Sequence, residues 1–392
     1  MMEYQKYRDY GVQVRRHLHQ YPELGREEYE TRRYCIQQLE QWGYKITDCF
    51  ETGFYADLQI NNHFQTIAFR ADMDALPAEE KNGEVVTSVN PGVAHLCGHD
   101  IHMAVSLTAA RMMSDNKDRL KFNIRFLFQP SEEMFRGGAK GMVEAGCLKG
   151  VERVYGLHND PQIDYGKISV HPGIMSSNGD QFKVTIEGKS AHASAPHLGR
   201  DALSEAVRLL NSFRSIITDN VDPNKAALIS TCMLKAGEAP NILARNAEFQ
   251  GSSRSFDKDV HNTLMEKFKN ELGETCRRGF NVELDIRGYP AINNHRQATQ
   301  DLIDVGHQLL GEEGVLTDLP PMVGSEDFSY FLEERPGAFF FLGSGDHAKG
   351  ICNPLHSNPF IANEKSILLG ALIYGSLVGL TADRSELQLS QA

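Results

Sequence analysis

The chain has 392 residues, 41% of them apolar and 23% charged, and a formal net charge of -12. That length favours two domains with a sizeable core, and no apolar run approaches the roughly 18 to 20 residues that span a bilayer. The acidic balance, with no basic cluster beyond a pair or two, argues against nucleic acid or an anionic membrane as the main partner.

The first stretch, MMEYQKYRDYGVQVRR, is polar and has neither the apolar core nor the small-residue cleavage site of a secretory signal, so a cytoplasmic location is expected. Residues 4–19 and 26–42 read as helices, broken at Tyr21-Pro22-Glu23-Leu24-Gly25. The extended segments FYADLQI (54–60), QTIAFRA (65–71) and FNIRFLFQ (122–129) follow, and AVSLTAARMM reads as a helix between the last two. A sheet flanked by helices is the economical arrangement. From residue 178 the order becomes strand, helix, strand, strand, helix, strand: QFKVTIEG, RDALSEAVRLLNSFRSII, AALISTCMLKA, NAEFQGSSRSF, a helix over about 258–279, and NVELDIRGY. This is the split βαβ pattern of an antiparallel sheet with helices on one face, and it predicts an inserted domain over 178–289. Residues 1–177 and 290–392 then form one domain, completed by AFFFLG and SILLGALIYGSLVGL, and the tail after about 382 is expected to fray.

Seven scattered cysteines without a CxxC pair do not suggest a disulfide framework, and most read as buried thiols. Cys97 differs, because HLCGHDIH (95–102) packs three histidines, a cysteine and an aspartate into eight positions. In an extended loop Cys97 and His99 point the same way, and both suit a borderline divalent ion; a buried thiol beside a helix cap is the plainer alternative. Asp100 is either that cap or an acceptor that orients an imidazole. Glu132 and Glu133 follow an apolar strand, so one carboxylate can hold a metal while its neighbour takes a proton from the attacking water. A solvated acidic pair is the ordinary alternative. Asp72 and Asp74 also follow a strand, where sites of open α/β sheets gather. His158 in YGLHND and His356 in NPLHSNP sit after apolar segments, as ligands on strand-end loops would.

Nine segments extend these signals along nearly the whole chain: HLHQYPELGREEYET (17–31), FRADMDALP (69–77), HLCGHDIH (95–102), FLFQPSEE (126–133), GLHND (156–160), GKSAHASAPH (188–197), APNIL (239–243), GSEDFSYF (324–331) and LHSNPF (355–360). In this order they resemble the two-metal amidohydrolases that include hippurate hydrolases, N-acyl-amino-acid deacylases and auxin-conjugate hydrolases, relatives of aminoacylase and carboxypeptidase G. The resemblance implies an α/β, phosphorylase/hydrolase-like catalytic domain with a mixed sheet flanked by helices, plus an inserted α+β ferredoxin-like domain serving as lid and dimerisation module. It implies two divalent ions per subunit (zinc, manganese, nickel or cobalt) on Cys97, His99, Glu133, His158 and His356, with Glu132 as general base and His192 reaching the oxyanion. Asp72 stands where the wider family has a histidine, so Asp72 and Asp74, like Asp100, are expected behind the ligands. GKSAH lacks a glycine expected before its histidine.

The implied substrate is a small N-acyl amino acid, with Arg254 gripping its carboxylate and Asn241 donating to that group or to the scissile carbonyl. A homodimer is implied, and whether His192 serves its own site or its partner's stays open. The alternatives are a dipeptidase or carboxypeptidase-like metallopeptidase, or a non-catalytic binding protein on the same fold; the complete set of ligands and base speaks against the last.

Overall fold

The computed structural model describes residues 4–81, 86–134 and 137–381; the tail expected to fray lies outside them. The chain divides into two compact units: Met1–Met175 with Asn293–Pro320 and Asp327–Ala392, and Ser176–Ile292 with Pro321–Glu326.

In chain order the first unit contributes α1 (Tyr4–Gln20), α2 (Tyr29–Gln41), β1 (Lys45–Asp48), β2 (Phe54–Leu58), β3 (Thr66–Asp72), α3 (His99–Asp115), β4 (Asn123–Gln129), α4 (Gly138–Glu144), β5 (Val151–Asp164), β6 (Ile168–Ser169) and β7 (Gly173–Ile174). The second unit follows with β8 (Asn178–Glu187), α5 (Ala202–Asn220), β9 (Ala227–Ala236), β10 (Asn246–Ser255), α6 (Lys258–Arg277) and β11 (Asn281–Tyr289). The chain then returns to the first unit as β12 (Asn293–Asn294), α7 (Arg296–Leu310), β13 (Val315–Leu316), α8 (Ser329–Glu334), β14 (Gly337–Gly345) and α9 (Lys365–Leu377).

The large sheet has the order β1-β2-β4-β3-β5-β14-β6-β13. Its centre is parallel, β4 to β3 to β5 to β14, with antiparallel pairs on both sides, β1–β2 and β2–β4 on one and β14–β6 on the other. Strands β3 and β4 are buried along almost their whole length, as parallel strands covered on both faces must be. Helix α1 buries Tyr7, Gly11, Val14 and Leu18, a single stripe at helical spacing. Helices α3 and α9 are buried on nearly every side. Parallel pairing places the carboxyl ends of β3 and β4 side by side, Asp72 opposite Gln129.

In the second unit the sheet runs β11-β8-β10-β9, antiparallel throughout. Alternate residues of β10 (Ala247, Phe249, Gly251, Ser253 and Ser255) are buried, and Phe182, Phe213, Phe249 and Phe268 fill the core. Asp201 and Asp257 cap α5 and α6 through backbone N–H groups of the first turn.

Three cysteines (35, 97 and 147) are buried, whereas Cys232 and Cys276 are exposed and Cys49 and Cys352 half-buried. The expectation of mostly buried thiols therefore fails; Cys232 sits on an exposed position of the edge strand β9. Among the described residues no helix is long and apolar enough to cross a membrane.

Candidate metal centre

Three neighbouring strands and two loops of the first unit deliver the polar side chains. Strand β3 ends in Asp72, and Met73 and Asp74 follow; β4 ends in Gln129 and turns through Ser131, at φ 57°, into Glu132 and Glu133. The Asp74 carboxylate accepts the backbone N–H of Glu132 on one oxygen and that of Glu133 on the other, both at 2.9 Å. The two glutamates are thus fixed at the backbone, with their carboxylates facing the same imidazole, His99.

His99 opens α3, and Gly98 before it has φ 96°. A side chain at Gly98 would run into the amide of Asn159, so glycine is required both for the turn and for the close approach. Here the extended-loop reading of Cys97 and His99 is corrected: a left-handed residue, not strand alternation, aims both toward one point. His158 is likewise not on a strand-end loop but inside β5, opposite Phe341 of β14. His356 has φ 63°, and its N–H donates to Leu96 O at 2.8 Å, tying its loop to the one that carries Cys97.

The five residues expected as ligands converge. Cys97 Sγ lies 3.3 Å from His158 Nε2 and 3.3 Å from His356 Nε2, and His356 Nε2 lies 3.1 Å from Glu133 Oε1. His99 Nε2 is 3.9 Å from both Glu132 Oε2 and Glu133 Oε1. The donor atoms form two triads that share the thiol, Cys97-His99-His158 and Cys97-Glu133-His356. His99 Nε2 is buried without a hydrogen-bond partner, its nearest carboxylates standing at 3.4 Å (Asp72) and 3.9 Å (Glu132 and Glu133), an arrangement that costs free energy unless a cation stands among them. Burial, then the charges of Glu133 and Glu132, pushes the Cys97 thiol well above its ordinary value; a thiolate here needs a cation. Soft sulfur, imidazole and carboxylate around two shared positions fit a pair of divalent ions.

Behind the ligands stand groups of another kind. His99 Nδ1 bonds the Asp74 backbone carbonyl at 2.9 Å. His102 Nε2 accepts the Asn159 N–H at 3.0 Å, so its Nδ1 carries the proton donated to Asp72 Oδ1 at 2.6 Å. Arg70 donates to Asp72 (2.7 Å), to Gln129 (2.8 Å) and to Asp327 (3.0 Å). Burial alone would raise Asp72, but Arg70 first, then His102 and His99, hold it well below the usual carboxylate range. Burial also works against a charged His99, yet Asp72, Asp74 and Glu133 raise it to about 10. Asp100 is not a cap: Gly98 holds that position without a side-chain bond. Asp100 Oδ2 instead accepts from Arg15 Nε and His19 Nδ1, each at 2.8 Å.

Arg70, His102, Gln129 and Asp327 escaped sequence reasoning, although an arginine inside the apolar IAFRAD and a glutamine ending FNIRFLFQ were signals. The remaining three expected residues lie in the second unit. His192 is exposed, with Nδ1 2.7 Å from Ser194 Oγ. Asn241 is exposed and accepts the Ala193 N–H through its backbone carbonyl. Arg254 Nη1 donates to the carbonyls of Asp180 (3.3 Å) and Ser253 (3.0 Å).

A buried thiol–imidazole–carboxylate pocket with a second carboxylate beside it, at the strand ends of a mixed α/β sheet, is the layout of a metal-dependent amide hydrolase. The chain belongs to peptidase family M20/M25/M40, whose sequence profile matches residues 68–379. It is 36% identical over 385 residues to an N-acetyl-L-cysteine deacetylase of Bacillus subtilis (strain 168), covering 97% of this chain and 90% of the relative. It is 34% identical over 379 residues, 94% of each chain, to thermostable carboxypeptidase 1 of Saccharolobus solfataricus. The crystal structure of the Bacillus subtilis YXEP protein, described as a dinuclear metal-binding peptidase of the M20 family, superposes with a TM-score of 0.79 at 27% identity, over 96% of this chain and 98% of that one. The protein is an enzyme that hydrolyses amide bonds.

Proposed function

We propose that the enzyme hydrolyses N-acyl amino acids to a carboxylate and the free amino acid, with Cys97, His99, Glu133, His158 and His356 holding two divalent cations. The observation that carries this reading is the shared thiol: Cys97 Sγ stands 3.3 Å from two imidazoles, one in β5 and one in the loop of His356. The similarity to an N-acetyl-L-cysteine deacetylase supports the substrate class. Bound cations would polarise the acyl carbonyl and acidify water. Glu132, held by Asp74 at its backbone, takes the proton of the attacking water and returns it to the leaving amine. Asp72, with Asp74 and His102 around it, keeps His99 oriented. A thiol with three imidazoles suits zinc; manganese, nickel and cobalt also serve such donor sets.

In the second unit, with 178–289 acting as lid and dimerisation domain, we assign the substrate carboxylate to Arg254 and Asn241 and the oxyanion to His192. The backbone carbonyls on Arg254 Nη1 fix the orientation of its planar fork, which suits a carboxylate. Strand β9 is a sheet edge with Leu228 and Leu234 about 40% exposed, which supports pairing into a homodimer. Seven free thiols support a reducing, cytoplasmic setting.

The test is a panel of N-acetyl, N-benzoyl and indole-acyl amino acids, each as free acid and as methyl ester, run on metal-loaded enzyme and on Arg254→Ala. Free acids are expected to exceed esters roughly ten- to hundredfold in kcat/KM, and Arg254→Ala to erase the difference. Equal turnover of acids and esters by the wild type would overturn carboxylate recognition. A second reading, cleavage of peptides with a free carboxyl terminus, draws on the carboxypeptidase relative and wins if dipeptides outrun every N-acyl amino acid. Sedimentation should give twice the chain mass; a monomer removes the dimer.

A further inference from the structure

Cys49 and Cys147 come from opposite ends of a long stretch of chain and meet beneath α4. Cys49 lies in the turn between β1 and β2, where its N–H donates to Gly53 O at 3.0 Å. Cys147 lies in the turn after α4, where its N–H donates to Met142 O at 3.1 Å. The Cys49 thiol reaches that same Met142 carbonyl at 3.6 Å, and the two thiols lie near enough to shift each other's ionisation. The turn and the helix are in close contact: a Cβ at Gly141 would stand 2.6 Å from the Phe50 ring.

The pair is chemically asymmetric. Cys49 is half-buried, whereas Cys147 is fully buried. The Cys147 side chain first, against burial, lowers the Cys49 thiol, and the backbone at Phe50 and the charge of Arg125 add to that effect. Cys49 first, then burial, raises Cys147. Arg125 is held in place by Asp57 at 2.6 and 2.7 Å and by the Cys147 carbonyl at 2.7 Å. A half-buried thiol lowered by its neighbour, with a second thiol beside it, is the arrangement that favours attack followed by resolution.

We propose that Cys49 and Cys147 form a reversible redox modification site, closing to an intrachain disulfide when the enzyme meets a peroxide. Cys49 sulfur attacks one peroxide oxygen, the O–O bond breaks, and a sulfenic acid and one water result. Cys147 sulfur then attacks the sulfenyl sulfur; the S–O bond breaks, the S–S bond forms, and the second water leaves with the Cys147 proton. Two thiols are oxidised by two electrons and hydrogen peroxide is reduced to two waters. A dithiol reverses the step by exchange. The disulfide closes a loop of about 100 residues and pins α4 at its carboxyl end. Near its other end, Ala139 N–H is bound to Asp327, which Arg70 links to Asp72 behind the metal site.

The test exposes reduced, full-length enzyme to hydrogen peroxide, blocks free thiols with N-ethylmaleimide, and maps peptides without reduction by mass spectrometry. A Cys49–Cys147 crosslinked peptide is expected, lost on adding dithiothreitol and absent in Cys49→Ser. Cys147→Ala should leave Cys49 as a sulfenic acid that dimedone traps. The oxidised wild type should also melt roughly 5 °C or more above the reduced protein. Reading the peptide itself keeps oxidation of Cys97 out of the result. Oxidation of other thiols without this crosslink, or a Cys49 that alkylates no faster than the buried Cys35, overturns the proposal.

Discussion

Two buried clusters of the first unit mix histidine with carboxylates, and they neutralise their charges differently. Around His19 the signs alternate: Arg15 and His19 share Asp100 Oδ2, and the other ring nitrogen of His19 meets Glu80 Oε1 at 2.8 Å. Burial and Arg15 push His19 down, yet Asp100 and Glu80 more than offset them and raise it to about 9. Around His99 the carboxylates of Asp72, Asp74, Glu132 and Glu133 crowd one imidazole at 3.4 to 3.9 Å. Density of titratable groups therefore does not mark a metal centre. A cluster whose donors meet acceptors braces the fold; one whose acceptors face each other waits for a cation.

The largest test of that contrast is removal of divalent ions. Chelation should lower hydrolysis by at least about a thousandfold, reversibly, and Cys97→Ala should lose both metal and rate. Active enzyme without a transition metal by elemental analysis would dissolve the distinction. Next in size, Glu132→Gln should keep its metal while kcat falls at least about 100-fold, whereas Glu133→Gln should lose both. Near-normal turnover in Glu132→Gln would remove it as the base. The smallest effect concerns the brace. Because folding raises His19 from 6.5 to about 9, its contribution is full below pH 6.5 and fades as pH rises through 9, about 3 kcal/mol in all. Urea unfolding should show wild-type stability falling across that window and His19→Gln flattening the profile with metal content unchanged. A variant that titrates like wild type, or that sheds its metal, breaks the comparison.

What the sequence disclosed follows from how local each signal is. The strand–helix order of the second unit was readable because its alternating strands and amphipathic helices are periodic over ten to twenty residues, and β8 through β11 fall where the pattern put them. Cys97, His99, Glu133, His158 and His356 were readable as chemistry inside short motifs, and the structure draws them together. Their backbone settings were less legible: Gly98 turns where an extended loop was expected, and His158 lies within β5. The Arg70–Asp327 pair joins residues 257 positions apart, and Cys49 meets Cys147 only once α4 has packed on the β1–β2 turn. No periodicity encodes such meetings. Asp100 shows the converse, a residue of a metal-rich motif whose carboxylate turns away toward α1.

Asp74 carries one further consequence. Because its two oxygens grip the amides of consecutive residues, Glu132 and Glu133 behave as two tines on one handle. Any shift of the loop displaces both by the same rotation, so the proton acceptor and the neighbouring ligand stay in step. Substitutions that loosen this handle are therefore expected to degrade cation affinity and proton transfer together.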